Sequence, residues 1–263
     1  MKFIARTLFL SIAVFMSVNL CAEKNKKVEY PWIKKHEAKV YQKLPYRILK
    51  PIDFNTSKKY PVIIYLHGGG GRGNDNVTQM NKTILHLSKD EIRKQYPAYL
   101  LSPQSKSMWA KDQLQKLKEI IKTLKNVDRS RIYLIGYSMG GHGTFRFLME
   151  DHNYFAAAIT IAGAGLKKTA PFIDTELLSD FPIWSFHGEK DTVSPYSKGK
   201  ALFEDFKKSR GLMKFTMYKG QGHNVPNAFL KIKENQVTDF SSDKCDKEED
   251  ALKWLFKREN NSL

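Results

Sequence analysis

Cysteine is scarce: only Cys21 and Cys245 occur in 263 residues. A disulfide scaffold and a four-cysteine zinc site are therefore excluded. The seven histidines are scattered and none forms an H-x-x-x-H pair, so metal chemistry has no signature here. Acidic residues are outnumbered, 27 against 44 Lys and Arg, which leaves a formal net charge of +17. The basic excess is spread along the chain, densest over Lys24–Lys50, and no Arg-rich arm or nucleic-acid module accompanies it. A solvated basic surface is the plain explanation; attraction to acidic polymers or cell surfaces is the sharper one. Long apolar runs are also missing, apart from the eleven residues Leu8–Val18. A membrane span needs roughly twenty. No internal repeat, low-complexity linker or abrupt change of composition breaks the chain. What is present is 41% hydrophobic and 12% aromatic residues, enough for a sizeable core and against a disordered chain.

Residues 1–22 read as an export signal. Lys2 and Arg6 give the positive start, Leu8–Val18 the apolar stretch, and Ala22 a small residue for cleavage. The expectation is a secreted or periplasmic protein whose mature chain, 23–263, is one domain. Uncleaved anchoring is one alternative. Lipidation of Cys21 is another, although large Leu20 stands where that processing usually wants a small residue.

The middle of the chain alternates strand-like and helix-like segments, which predicts an α/β fold with a largely parallel sheet. Val28–Ile33 and Ala38–Ile48 can be two early strands. Pro61–His67 is a continuous apolar run, as a strand buried on both faces should be. Ala98–Pro103, Arg131–Tyr137, Phe155–Ala162, Ile183–His187 and Lys214–Lys219 complete a count of eight. Helices are predicted over Lys111–Leu124, Gly140–Met149, Tyr196–Lys208 and Ala251–Lys257. In the first, Leu114, Leu117, Ile120, Ile121 and Leu124 recur at helical spacing. Ser241–Asp250 is polar and reads as a surface loop.

One motif carries chemistry. Gly136-Tyr137-Ser138-Met139-Gly140 matches G-x-S-x-G between a strand and a helix. That context puts the serine on a sharp turn, and the flanking glycines relieve its crowding. A serine hydroxyl needs a base to take its proton and an acid to orient the base. For this motif the chain order is serine, acid, histidine. His223, in a glycine-rich loop after the last strand, is the candidate base. His187 comes before the candidate acid and is set aside. His142, four residues after Ser138, reads as packing or pocket lining. Asp191, after the Ile183–His187 strand, is the candidate acid; Glu189 is its near competitor, and Asp174 and Asp180 precede the strand.

Acyl transfer also needs donors for a developing oxyanion. The Met139 N–H, directly after the serine, is one candidate. The loop His67-Gly68-Gly69-Gly70-Gly71-Arg72-Gly73 offers the other, with Gly69 preferred and Gly68 and Gly70 still open. The same glycines match G-x-G-x-x-G. No acidic residue ends a second strand at the distance a dinucleotide site requires, and no Walker lysine follows either.

With these residues in place, the chain resembles the α/β-hydrolase superfamily. More narrowly it is similar to secreted bacterial esterases of the feruloyl and acetylxylan type, some of them labelled predicted peptidases. The resemblance rests on Tyr60–Asn76, Tyr99–Trp109, Val127–Phe145, Phe181–Val193 and Tyr218–Asn224. It implies an α/β-hydrolase fold with about eight mostly parallel strands, and an ester substrate that is small or borne on a polysaccharide. It implies no cofactor, no metal and no nucleic-acid partner. It also points to Trp109 as a substrate-binding residue, with simple packing as the alternative. Only twenty residues separate Ala162 from Ile183, too few for a large cap domain. A peptidase of the same fold and a silent binding protein are the competing functions.

Overall fold

The computed structural model describes residues 30–165, 170–225, 228–230 and 235–260. The expected export signal lies outside them. Contacts divide the chain into Met1–Pro31 and Trp32–Leu263, and the second unit carries the sheet. Among the described residues that sheet has nine strands: β1 Glu37–Tyr41, β2 Leu44–Leu49, β3 Tyr60–Leu66, β4 Tyr99–Pro103, β5 Val127–Tyr137, β6 Ala157–Ile161, β7 Ile183–Gly188, β8 Met213–Tyr218 and β9 Gln236–Phe240. The helices are α1 Lys82–Leu87, α2 Asp90–Gln95, α3 Lys111–Lys122, α4 Met139–Asp151, α5 Tyr196–Lys208 and α6 Ala251–Phe256.

The spatial order is β1-β2-β4-β3-β5-β6-β7-β8-β9. Strands β4 to β8 and β3 run parallel. β1, β2 and β9 are antiparallel additions at the two edges. Both faces of β3 are buried, and its side chains divide by the two-residue period of a strand. Val62, Ile64 and Leu66 meet Leu114 and Leu117 of α3 and Phe145 of α4. Ile63 and Tyr65 meet Ile84 of α1 and Leu252 of α6 on the opposite face. Each such side chain contributes roughly 1.5–3 kcal/mol on burial. The result is a helix–sheet–helix sandwich.

Three expectations need correction. Val28 and Glu29 fall outside the described residues, and Pro31–Lys34 is a helical turn where a strand was expected. Proline's fixed φ and missing N–H suit the first turn of a helix. The single strand over Ala38–Ile48 is a hairpin. Gln42 and Lys43 adopt φ 44° and 66°, the two positive values of a tight two-residue turn, and Tyr41 pairs with Leu44. The ninth strand, β9, escaped notice because its side chains alternate between half-buried and exposed, with Val237 turned outward.

The chain leaves β3 toward β4 and then crosses back to β5 on the other side. Connections from β3 and β5 therefore depart in opposite directions, and a crevice opens at their carboxyl ends. The glycine loop follows β3 there, and Ser138 follows β5. Between β6 and β7 the described residues form turns, with no further helix or strand and no cap domain.

Candidate active site

Ser138 links β5 directly to α4 with φ 54° and ψ −115°. A non-glycine residue in such a region costs of order 1–3 kcal/mol. The turn is held from both ends. Ser138 N–H donates to the Ile161 carbonyl at 2.8 Å, and the Ser138 carbonyl accepts from His142 N–H at 3.0 Å. The two glycines of the motif are required by space. A Cβ on Gly136 would strike the Gly140 carbonyl, and one on Gly140 would strike the Leu66 carbonyl.

The structure brings Ser138, His223 and Asp191 together. Ser138 Oγ lies 2.8 Å from His223 Nε2, and His223 Nδ1 lies 2.8 Å from Asp191 Oδ2. The carboxylate accepts the Nδ1–H, which leaves the Nε2 lone pair facing the serine hydroxyl. Asp191 is buried, and its Oδ1 accepts from Val193 N–H at 2.9 Å and Ser194 N–H at 3.0 Å. Burial pushes its pKa up, but hydrogen bonds from His187 and His223 outweigh burial and hold it below the ordinary carboxylate value. It stays charged beside the imidazole. Such a chain can take the hydroxyl proton as the oxygen attacks an electrophile, and the buried carboxylate offsets the imidazolium that forms.

The glycine loop borders this turn, since Gly68 sits against Tyr137. Its shape is set by His67. Ser105 N–H donates to His67 Nε2 at 3.0 Å, so the ring proton resides on Nδ1 and is given to the Gly68 carbonyl at 2.7 Å. A trans peptide points its C=O and N–H in opposite directions. Fixing the Gly68 carbonyl therefore aims the Gly69 N–H away from the His67 ring. Burial, chiefly, lowers the His67 pKa to about 4, which keeps the ring neutral. Gln104 braces the same loop. It donates to the Gly71 carbonyl at 3.2 Å and accepts from Asn76 N–H at 2.6 Å. Among the described residues no acceptor takes the N–H of Gly69 or of Met139.

Trp109 does not join the group. Its side chain is 2% exposed, its Nε1–H donates to the His67 carbonyl at 3.2 Å, and its ring packs on His67 and Phe147. This corrects the substrate-binding expectation: an indole sandwiched between β3's end and α4 has no face left for a ligand. The competing carboxylates lie elsewhere. Glu189 accepts from Gly220 N–H, Asp174 caps a turn at Glu176 and Leu177, and Asp180 pairs with Lys244. His142 is buried against Phe172. Burial, then Arg146 and Lys198, lower its pKa to about 4.

One residue escaped the sequence reading, and another was weighed only as a base. Tyr137 Oη donates to the His223 carbonyl at 3.1 Å and so ties the histidine loop to the serine turn. His187, set aside by chain order, lies against Asp191. The signal for Tyr137 was its place inside G-x-S-x-G, where its side chain must flank the site. Among the described residues no three His, Cys, Asp or Glu side chains converge to hold a metal ion.

Comparison with known proteins fits this geometry. A thermostable esterase is similar at 28% identity with a TM-score of 0.68, over 86% of this chain and 64% of its own. The chain thus spans a little under two thirds of that esterase. Est1E from Butyrivibrio proteoclasticus matches at 17% identity and TM-score 0.54, over 72% of this chain and 90% of its own. Dipeptidyl peptidase 4 of Porphyromonas gingivalis matches at 18% and 0.58, over 72% of this chain and 32% of its own. At such identities the last two show the fold alone. The model of the dienelactone hydrolase family matches residues 55–258, most of the sheet and all of the site. The chain therefore belongs to the dienelactone hydrolase family, within the α/β-hydrolase superfamily.

Proposed function

We propose that the chain is an exported serine esterase that hydrolyses carboxylic esters, with carbohydrate-linked acetyl or feruloyl esters as its substrates. The observation that carries the reading is the unbroken hydrogen-bonded chain from Ser138 Oγ through His223 to Asp191, 2.8 Å at each link. Ser138 Oγ attacks the ester carbonyl carbon while His223 Nε2 takes its proton. The carbonyl oxygen, now negative, accepts from the Gly69 and Met139 N–H groups. The intermediate collapses, the C–O bond to the alcohol breaks, and His223 gives the alcohol its proton. Water then attacks the acyl-serine with His223 again as base, releasing the acid and restoring Ser138. Among the described residues no helix or strand lies between β6 and β7 to form a cap, which suits an ester carried on a polymer.

Ser138→Ala and His223→Ala should each lower ester turnover by about 10⁴–10⁶, with thermal melts close to that of the parent. Near-parental turnover in Ser138→Ala would overturn the assignment. A panel of acetyl, feruloyl and peptide substrates tests the class. Peptide turnover above ester turnover would favour a peptidase of the same fold.

A further inference from the structure

His187 ends β7 with its side chain wholly buried. Its Nε2 lies 2.8 Å from the Ser194 carbonyl, which can only accept, so Nε2 carries a proton. The same nitrogen lies 3.3 Å from Asp191 Oδ2. Asp191 Oδ2 is also the atom that accepts from His223 Nδ1. Two imidazoles thus converge on one carboxylate oxygen. The remaining nitrogen of His187, Nδ1, is buried without a partner among the described residues and faces Gly199, where a Cβ would come within 2.6 Å. The Nε2–H is thus the ring donor with an acceptor in reach, and its direction is fixed. Ser194 closes the arrangement: its N–H holds Asp191 Oδ1 at 3.0 Å, its carbonyl holds His187, and its Oγ donates to Gly165 at 2.9 Å.

We propose that His187 is a positioning residue for Asp191: it fixes the carboxylate's rotamer and shares Oδ2 with His223, which restrains how strongly Asp191 holds the imidazolium. The proposal rests on the reading of Ser138, His223 and Asp191 as the reacting chain. The Nε2–H, given chiefly to the Ser194 carbonyl at 2.8 Å, also faces Oδ2 at 3.3 Å and draws charge from the oxygen that serves His223. Removing it should tighten the Asp191–His223 pair and make His223 more basic. Among the described residues the titratable side chains in ring contact with this cluster are Tyr137 beside His223 and Tyr196 against the His187 ring. Both are phenols whose pKa burial raises, so both stay neutral across the pH range in question. Phe215 supplies the other aromatic wall of His187.

The test compares His187→Met, which keeps the bulk and loses the donor, with His187→Gln, which can return an N–H near the Nε2 position. A fluorophosphonate that labels the active serine counts competent sites in each preparation, so kcat is expressed per site. In His187→Met, kcat per site should fall about tenfold, the worth of one hydrogen bond to a charged group, with KM little changed. The acid limb of its pH–rate profile should move up by about half a unit. His187→Gln should recover most of both. A purely structural role predicts fewer labelled sites and a lower melting temperature, with parental kcat per site and an unmoved acid limb; that result would overturn the proposal. Failure of the parental protein to label at Ser138 would instead overturn the serine esterase reading, so the two failures are separable.

Discussion

Replacing Trp109 with Ala separates a substrate-binding indole from a packing one. The side chain is 2% exposed, and Gly143 lies so close that its own Cβ would clash with the indole. Truncation of a buried tryptophan costs about 3–5 kcal/mol through lost transfer energy and the cavity left behind. The His67 carbonyl also loses its donor, about 1 kcal/mol more. At about 2–4 °C per kcal/mol for a domain of this size, the melting temperature should fall by about 8–24 °C. Catalysis should suffer through His67, whose ring meets the indole edge-on with centroids 4.9 Å apart and sets the Gly68 peptide. A looser glycine loop affects every ester alike.

The assay is kcat/KM on a feruloyl and an acetyl ester, corrected for the active fraction, with thermal melts beside it. The ratio of the two constants should match the parental ratio. An indole that stacked on an aromatic acyl group would give a different pattern. Its removal would forfeit about 0.5–1.5 kcal/mol on the feruloyl ester alone, roughly two- to twelve-fold. A selective loss of that size with an unchanged melting temperature would refute the placement of Trp109 in the core.

Acid should destabilise the fold over a defined window. Burial, foremost, lowers His36, His67 and His142 from 6.5 to about 4. The unfolded chain therefore binds more protons than the folded one once pH drops below about 6.5. Stability is complete above that value and declines as pH falls toward about 4, by at most about 3 kcal/mol for each ring. Urea unfolding at pH 7.5, 5.5 and 4.5 checks this, and a flat stability curve would contradict the buried-histidine account. For export, intact-mass measurement of the secreted protein should give a mature chain starting at Glu23; a diacylated Cys21 terminus would place the enzyme on a membrane surface instead.

The residues that gather at the candidate site, Ser138, Asp191 and His223, were legible because their proposed chemistry restricts them tightly. Gly136 and Gly140 must be glycine to clear neighbouring carbonyls, and that requirement writes itself into the sequence as fixed spacing. Asp191 and His223 follow from chain order. β3 and the Ile132–Ile135 part of β5 were legible because a strand covered on both faces must be apolar; the polar start of β5 over Val127–Ser130, half-buried or exposed, was not. The rest depended on contacts that no local pattern encodes. The β1–β2 hairpin turns on Gln42 and Lys43, neither a usual turn residue. α1 and α2 span six residues each, too few to display a helical period. Trp109 was misjudged because neighbours distant in sequence, Gly143 and His67, define its place; His187 was weighed only as a base, and its contacts with Asp191 and Ser194, four and seven residues on, were not considered.

The histidine has the longest reach of the three groups, and its supports follow from that. Ser138 leaves the end of β5, Asp191 follows β7, and His223 follows β8. Adjacent strands stand about 4.8 Å apart, so β8 lies some three spacings from β5. The loop after Tyr218 must cross the end of β7 to return its imidazole to Ser138. A glycine-rich crossing would wander unless tied at several points along its length. Gly220 N–H is held by Glu189, the Gln221 carbonyl by Lys190 N–H at 2.8 Å, and the His223 carbonyl by Tyr137. Gly188 must be glycine for the same crossing, because a Cβ there would strike the Gly222 carbonyl. The ties come from the β7 loop and from the residue before the serine, the two places between which the imidazole must sit. The loop is therefore located by the groups it has to bridge, and the 2.8 Å contacts on both sides of the ring are a consequence of that bracing as much as of the ring itself.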